Sequence, residues 1–194
     1  MNKKRAASKA AKHPAKVLGS GSGVRLKTVV GEKVLRGRVR ELARKINRDY
    51  AGKTLHVVGV LEDGFVFLAD LVRALTVPVV CYFVRPQVRD SDAGLVAMRE
   101  ILYIPPVDAA GKDLLLVEGV VQSGLTLDQL CRTLLVQQPS SLRIAALIDK
   151  LAERKIDVRV DYSGFRLSGH FLVGYGLGFR EQYRNLPYLA EVTE

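Results

Sequence analysis

The segment from residue 114 to residue 127 combines a carboxylate with a turn that could hold a phosphate group. It reads LLLVEGVVQSGLTL, in which Glu118 follows an apolar run. A small polar turn comes next, before a helix-forming segment, and it contains Ser123, Gly124 and Thr126. Glycine lets the backbone approach a ligand closely, N–H groups at a helix start attract anions, and the two hydroxyls can add donors. Ser-Gly turns also occur for packing reasons alone, so the turn by itself leaves a purely structural role open.

The surrounding segments alternate between strand and helix patterns. Apolar and β-branched runs predict strands over residues 54–61, 78–84, 143–149 and within 111–120. Apolar residues at helical spacing predict helices over residues 32–50, 65–75 and 125–137. Weaker signals predict a strand or hairpin arm over residues 99–105 and a further strand over residues 155–162. This order is typical of an α/β fold with a parallel sheet, which binds ligands at the carboxyl ends of its strands.

Composition limits the class of protein. The chain has 194 residues, of which 48% are hydrophobic, and this is enough for one domain with a full core. No apolar run reaches the roughly 18 residues that span a bilayer, and no secretory signal is visible. The two cysteines and three histidines have no spacing that predicts a zinc site. We therefore expect a soluble, cytoplasmic protein without a membrane partner.

Positive charge is concentrated at the N-terminus. Residues 1–27 carry eight of the thirty basic residues and no acid, which leaves 22 basic against 20 acidic residues in the rest of the chain. We predict a basic flexible leader over residues 1–23 and one domain over residues 24–194. A basic tail can bind nucleic acid through counterion release, but it can also be a solubilising, disordered leader.

Four segments together carry a resemblance to a known family. They read GVLEDGFVFLADLVRAL, VEGVVQSGLTL, AALIDK and DYSGFRLSGHFLVGYGLGFREQYRNLPY, in that order. Over most of residues 40–190 the chain resembles the purine phosphoribosyltransferases, in particular the hypoxanthine–guanine phosphoribosyltransferases. The resemblance implies a type I phosphoribosyltransferase-like fold, a parallel sheet flanked by helices with a small C-terminal hood. It also implies phosphoribosyl diphosphate (PRPP) and purine nucleotides as ligands, magnesium as cofactor, and dimers or tetramers.

The resemblance also implies roles for individual residues. The 5′-phosphate would be held by Ser123, Gly124, Leu125 and Thr126. Glu118 would face the ribose hydroxyls and is the candidate metal ligand. On the purine side, Lys150 would donate to the 6-oxo group, Phe171 would stack on the base, and the backbone of Leu172 would contact its edge. Arg184 would meet pyrophosphate. Four of these residues also have a purely structural interpretation. Lys150 could be a solvated lysine, Phe171 a core residue, Arg184 half of a surface ion pair, and Glu118 a cap of the turn.

Several positions depart from the family pattern. Gly119 stands where the family has the second of two adjacent acids, and Gln122 stands where it has an aspartate, the presumed base near purine N7. Gly178 replaces an aspartate in the C-terminal signature. Glu62 and Asp63 occupy the place of a Lys or Arg followed by Gly near pyrophosphate. The Ser-Tyr pair of the family's mobile loop has no counterpart in residues 84–94.

These departures fall on the metal and pyrophosphate side of the site. Gln122 is not expected to act as a base, and Glu62 with Asp63 forms either a solvated turn or a relocated metal site. The sequence therefore predicts a purine mononucleotide site of GMP or IMP type, with transferase activity that is weak or lost. The alternatives are an active purine-salvage enzyme, and a nucleotide-responsive regulator that touches nucleic acid through the basic tail.

Overall fold

The computed structural model describes residues 24–89, 98–104, 107–169 and 171–193. Its helices are α1 (Glu32–Asp49), α2 (Phe65–Ala74), α3 (Leu125–Leu135) and a short 3-10 helix (Leu151–Glu153). Its strands are β1 (Arg25–Val30), β2 (Leu55–Val60), β3 (Val79–Arg89), β4 (Met98–Ile104), β5 (Asp113–Val121), β6 (Ser141–Asp149), β7 (Tyr162–Arg166), β8 (Leu172–Val173) and β9 (Leu189–Thr193). The leader predicted over residues 1–23 lies outside the described residues and stays a prediction.

The main sheet has six strands in the order β4-β3-β2-β5-β6-β7. Strands β3, β2, β5, β6 and β7 are parallel, whereas β4 pairs with β3 in the antiparallel sense at one edge. The predicted α/β fold with a parallel sheet flanked by helices is therefore confirmed. None of the described helices is long and apolar enough to cross a membrane.

The core forms on both faces of this sheet. Helices α1 and α2 pack on one face, where Leu115 and Val117 of β5 belong to their apolar cluster. Helix α3 packs on the other face, against a cluster that includes Leu114 and Leu116 of the same strand. Because β5 is buried on both faces, it reads as a continuous apolar run rather than as an alternation.

A second, smaller sheet contains both ends of the domain. Its order is β1-β9-β8, and β1 pairs with β9 in the antiparallel sense. The hood predicted from the C-terminal signature alone thus also contains residues 25–30, for which no strand was predicted. A short edge strand such as β1 has weak periodicity, and its pairing partner lies at the far end of the chain.

The strand predicted over residues 155–162 is wrong. Residues 157–160 are irregular, and β7 begins only at Tyr162. The alternation that suggested a strand is nonetheless used for packing, because Val158 is buried and Ile156 and Val160 pack against the α3 cluster. Apolar alternation indicates an extended segment with one buried side, but it does not show that the segment has a pairing partner.

The central position of β5 gives a stability prediction. We expect Leu115→Ala to lower the free energy of unfolding by about 2–5 kcal/mol, because Leu115 is 0% exposed and its truncation leaves a cavity. Urea unfolding measures the change. Leu135→Ala is the matched control, since Leu135 is 54% exposed and should cost less than about 0.5 kcal/mol. Similar losses in the two variants would contradict this description of the core.

Candidate active site

Three loops leave the same edge of the main sheet and form the candidate site. They follow β2, β5 and β6, which are parallel neighbours, so their carboxyl ends lie side by side. The backbone N–H of Lys150, directly after β6, donates to the carbonyl of Val121 at the end of β5 over 3.0 Å. Residues more than 25 positions apart in the chain are thereby held in one place.

The turn after β5 is fixed by its backbone. Gly124 has a positive φ of 82°, and a Cβ at this position would lie 2.7 Å from the carbonyl oxygen of Ile156. The carbonyl of Ser123 accepts hydrogen bonds from the N–H groups of Lys155 and Ile156 over 3.0 and 3.1 Å. Glycine is therefore required here for both its conformation and its lack of a side chain.

A cavity of about 210 Å³ lies over this turn. It is lined by Glu118, Val120, Val121, Gln122, Ser123, Gly124, Thr126 and Leu127. Helix α3 begins at Leu125, whose N–H lies 3.4 Å from Ser123 Oγ. The first N–H groups of a helix have no partner within the helix and carry its positive dipole end, so the cavity suits an anion. Three of the four residues proposed for phosphate binding, Ser123, Gly124 and Thr126, line this cavity, and the fourth, Leu125, begins helix α3.

Glu118 is an unusual carboxyl group at the base of this cavity. It accepts a hydrogen bond from the N–H of Gly119 over 2.9 Å. Burial raises the pKa of Glu118 to about 8, and the negative charge of Asp63 adds to the effect. Glu118 therefore holds its proton to a higher pH than an exposed glutamate does, and a cation or a hydrogen-bonding ligand would change its protonation.

On the other side of the turn, Lys150 is only 8% exposed. Its Nζ lies 3.2 Å from Oε1 and 3.5 Å from Oε2 of Glu153, in the 3-10 helix. Gln122 Nε2 donates to Oε2 of the same carboxylate over 2.6 Å. The interpretation of Lys150 as a solvated lysine is wrong. The sequence does not single out Glu153, because nothing in the segment LAERK distinguishes it from a solvated acid.

Phe171 and Leu172 lie at the start of the hood. The Phe171 ring is 54% exposed and makes an edge-to-face contact with Phe179 at a centroid distance of 5.3 Å. The interpretation of Phe171 as core is therefore wrong. Leu172 is buried in β8 and pairs with Glu191. Stacking of Phe171 on a base, and contact of the Leu172 backbone with its edge, stay predictions.

The acids of the 61–64 turn neutralise Arg184. Arg184 Nη1 donates to Asp63 Oδ1 over 2.5 Å and to the carbonyl of Gly176 over 2.8 Å. Its Nη2 lies 3.4 Å from Glu62 Oε2, and Arg85 donates to Oε1 of Glu62 over 2.5 Å. Glu62 and Asp63 are thus ion-paired rather than merely solvated. Arg85 is a second arginine at this place that the sequence did not single out.

Two glycines that replace family acids leave room for this turn. A Cβ at Gly119 would lie 2.7 Å from the carbonyl carbon and oxygen of Asp63 and 3.0 Å from the N of Gly64. A Cβ at Gly178 would lie 2.8 Å from Cζ and Nε of Arg184. The space that a side chain would fill is therefore occupied by the turn in one case and by the arginine in the other.

These contacts predict that glycine-to-alanine substitutions at positions 119 and 178 lower the free energy of unfolding by different amounts. We expect Gly119→Ala to lower the free energy of unfolding by about 1–3 kcal/mol, because the new methyl group meets backbone atoms. Gly178→Ala should cost clearly less, since it meets the mobile end of an arginine side chain. Thermal or urea unfolding of both variants measures the difference. Equal stability of the two variants would show that the 61–64 turn does not pack as described.

Comparison with known proteins agrees with this geometry. The family model for the phosphoribosyl transferase domain matches residues 32–180. The chain is 40% identical over 167 residues to a hypoxanthine-guanine phosphoribosyltransferase of Dictyostelium discoideum, a match that covers 84% of this chain and 93% of the relative. It is 35% identical over 170 residues to the hypoxanthine phosphoribosyltransferase of Salmonella typhimurium, covering 87% of this chain and 96% of the relative.

A solved structure leads to the same result. The crystal structure of a hypoxanthine-guanine phosphoribosyltransferase from Bacillus anthracis matches with a TM-score of 0.78 and 35% identity, covering 89% of this chain and all of the other. The chain therefore belongs to the hypoxanthine–guanine phosphoribosyltransferase family and has the type I phosphoribosyltransferase fold.

Proposed function

We propose that the protein is an active cytoplasmic purine-salvage enzyme, which transfers the 5-phosphoribosyl group of PRPP to hypoxanthine or guanine. The products are IMP or GMP and pyrophosphate. The observation that carries this proposal is the single cavity in which the phosphate turn and Glu118 meet, with Lys150 beside it. An active enzyme is the alternative to the weak or lost activity expected from the sequence. The rate contribution of the missing base and the free energy of the Arg184 ion pairs both favour this alternative.

The residues take roles that follow from their chemistry. The turn of residues 123–126 holds the 5′-phosphate through N–H groups and hydroxyls. Glu118 hydrogen-bonds the ribose hydroxyls. Lys150 donates to the 6-oxo group, so that the enzyme prefers 6-oxopurines, and Phe171 covers the base. Arg184 exchanges its carboxylate partners for the diphosphate of PRPP.

The missing aspartate at position 122 does not abolish such a reaction. A general acid–base group contributes roughly 10²–10⁴-fold, whereas enzymes accelerate reactions by about 10⁶–10¹⁷-fold in total. Positioning of the two substrates and stabilisation of the leaving diphosphate supply most of the remainder. Replacement of the aspartate by Gln122 therefore lowers a rate without removing catalysis.

The ion pairs of Arg184 are also too weak to close the site. Glu62 and Asp63 are half-exposed, and exposed ion pairs contribute about 0–1 kcal/mol each. Opening both pairs thus costs about 0–2 kcal/mol, which corresponds to a loss of PRPP affinity of roughly thirtyfold at most. A diphosphate carries enough charge to outcompete these two carboxylates.

Magnesium fits this site only together with the substrate. Among the described residues there is no group of three or more His, Cys, Asp and Glu side chains that could hold a metal. Magnesium commonly binds through one or two carboxylates and the phosphate oxygens of its substrate. Glu118 and Asp63 are close enough to interact electrostatically, so they fit an ion that arrives with PRPP. Such an ion would neutralise charge on the leaving diphosphate.

A second candidate function is nucleotide binding without turnover. It is favoured by Arg184, because both of its terminal nitrogens already contact carboxylates. A GMP or IMP molecule needs only the phosphate turn and the purine side, and leaves this ion-pair cluster intact. Assembly into dimers or tetramers is compatible with both functions. Contact of the basic tail with nucleic acid concerns residues 1–23 and stays a prediction.

Turnover separates the two functions. We expect IMP or GMP to form when the purified protein is incubated with PRPP, magnesium and hypoxanthine or guanine, with chromatography as the readout. Lys150→Ala should lower kcat/KM for the purine by roughly 10–100-fold, because a hydrogen bond from a charged group is lost. Lys155→Ala is the matched control, since its side chain is exposed on the same loop.

Absence of product above background would contradict the proposed enzyme. Calorimetry with GMP would then test the second candidate, which requires binding that Lys150→Ala weakens.

The turn at residues 61–64 gives a further kinetic prediction. We expect Glu62→Gln to lower the KM for PRPP by about fivefold at most, because Arg184 and Arg85 each lose a competing carboxylate. Steady-state kinetics with varied PRPP measures this, and kcat should not change. Glu181→Gln serves as the control for an exposed glutamate near Arg184 in sequence. A raised KM would instead identify Glu62 as part of a relocated metal site.

A further inference from the structure

Glu153 has a position on the purine side that its sequence context does not reveal. Its two carboxylate oxygens form an ion pair with Lys150 Nζ and accept hydrogen bonds from Gln122 Nε2 and the backbone N–H of Gly169. The distances are 3.2, 2.6 and 3.2 Å. Donors from three separate loops thus converge on one carboxylate, immediately beside the lysine assigned to the 6-oxo group.

The backbone around Glu153 is well anchored. The N–H of Glu153 donates to the carbonyl of Lys150 over 2.9 Å, which forms the 3-10 turn. The next residue, Arg154, makes a buried ion pair with Asp149 at the end of β6. Lys150 is therefore the charged group that faces Glu153 among the described residues, while Arg154 is engaged elsewhere.

The spacing of Lys150 and Glu153 matches one edge of a 6-oxopurine. O6 and N7 are neighbouring atoms on that edge. When N9 attacks the ribose, the imidazole ring gains positive charge, and a proton on N7 becomes acidic. When a lysine donates to O6, the purine N7 lies next to the group that neighbours the lysine nitrogen. In this chain the carboxylate of Glu153 neighbours Lys150 Nζ.

Resting on the proposed transfer reaction, we propose that Glu153 is the catalytic residue that accepts the N7 proton of the purine. The N9 lone pair forms the bond to C1′ of the ribose. The bond from C1′ to the diphosphate oxygen breaks, and its electron pair leaves with pyrophosphate. The N7 proton passes to a carboxylate oxygen of Glu153, so that the nucleotide product is neutral in its base.

The surroundings of Glu153 suit this role. Burial alone would raise the pKa of Glu153, but hydrogen bonds from Gly169, Lys150 and Gln122 outweigh it and lower the pKa overall. The carboxylate is thus ionised at neutral pH, and one cause of its lowered pKa is removed when Lys150 turns from Glu153 to the purine. Gln122 acts as a fixed donor that orients the carboxylate and is not itself a base.

A carboxylate exchange tests the proposal by kinetics. We expect Glu153→Gln to lower kcat by about 10²–10⁴-fold with little change in the KM for PRPP. Adding Gln122→Asp to that variant moves the carboxylate to the other end of the same hydrogen bond, and should restore kcat at least tenfold. Glu41→Gln, on helix α1, is the control and should keep wild-type kinetics. A Glu153→Gln variant within threefold of wild type, or a double variant without recovery, would overturn the proposal.

Product binding supplies a test that does not need turnover. In GMP the N7 atom carries a lone pair instead of a proton, so it opposes the Glu153 carboxylate. We expect Glu153→Gln to bind GMP several-fold more tightly than wild type in calorimetry. The gain should be smaller for 7-deaza-GMP, which lacks the N7 lone pair, because release of Lys150 from its ion pair acts on both ligands equally.

Unchanged or weaker GMP binding by Glu153→Gln would overturn the role of Glu153. A wild-type protein without turnover would instead contradict the proposed function. An active wild type with an equally active Glu153→Gln variant would contradict only the role of Glu153.

Discussion

The close backbone contact between the 61–64 turn and Gly119 sets the arrangement of the rest of the site. At this contact the carbonyl of Asp63 lies where a side chain of residue 119 would have to begin. Because Gly119 belongs to the central strand β5 and Asp63 to the turn that directly follows β2, neither backbone can move away cheaply. The position therefore excludes the second carboxylate of the family pattern, and the acids of the turn itself supply negative charge near Glu118.

The same turn explains the pairing of charges on the diphosphate side. With Asp63 held against Gly119 and Gly176, its carboxylate reaches Arg184. Gly178 leaves the space into which the guanidinium of Arg184 packs. Residues 62, 63, 119 and 178 are thus linked by direct contacts through the 61–64 turn and Arg184.

Both halves of the site share one electrostatic design. Arg184 and Lys150 are each paired with a carboxylate in this structure. If the proposed function is correct, substrate binding is an exchange of partners, in which a substrate oxygen takes the place of a carboxylate oxygen. Such an exchange costs less than the desolvation of a free cation, and it favours ligands that bring their own negative charge or a strong acceptor.

The family was indicated by the resemblance of four sequence segments to it. Sequence alone also predicted most strands and helices of the main sheet and the small polar turn at residues 123–126, but neither β1 nor β7. These features depend on local periodicity and on glycine and hydroxyl residues that lie close together in the chain, as in the turn at residues 123–126. The buried strand β5 could also be predicted from the sequence, because burial on both faces gives an uninterrupted apolar run.

Tertiary structure alone decided which side chains meet. The hydrogen bond from Gln122 to Glu153 joins residues 31 positions apart, and that from Arg184 to Asp63 joins residues 121 apart. Strand β1 finds its partner β9 only when the ends of the domain come together. The role of a charged or short apolar segment depends on such distant partners, and neither composition nor spacing records them.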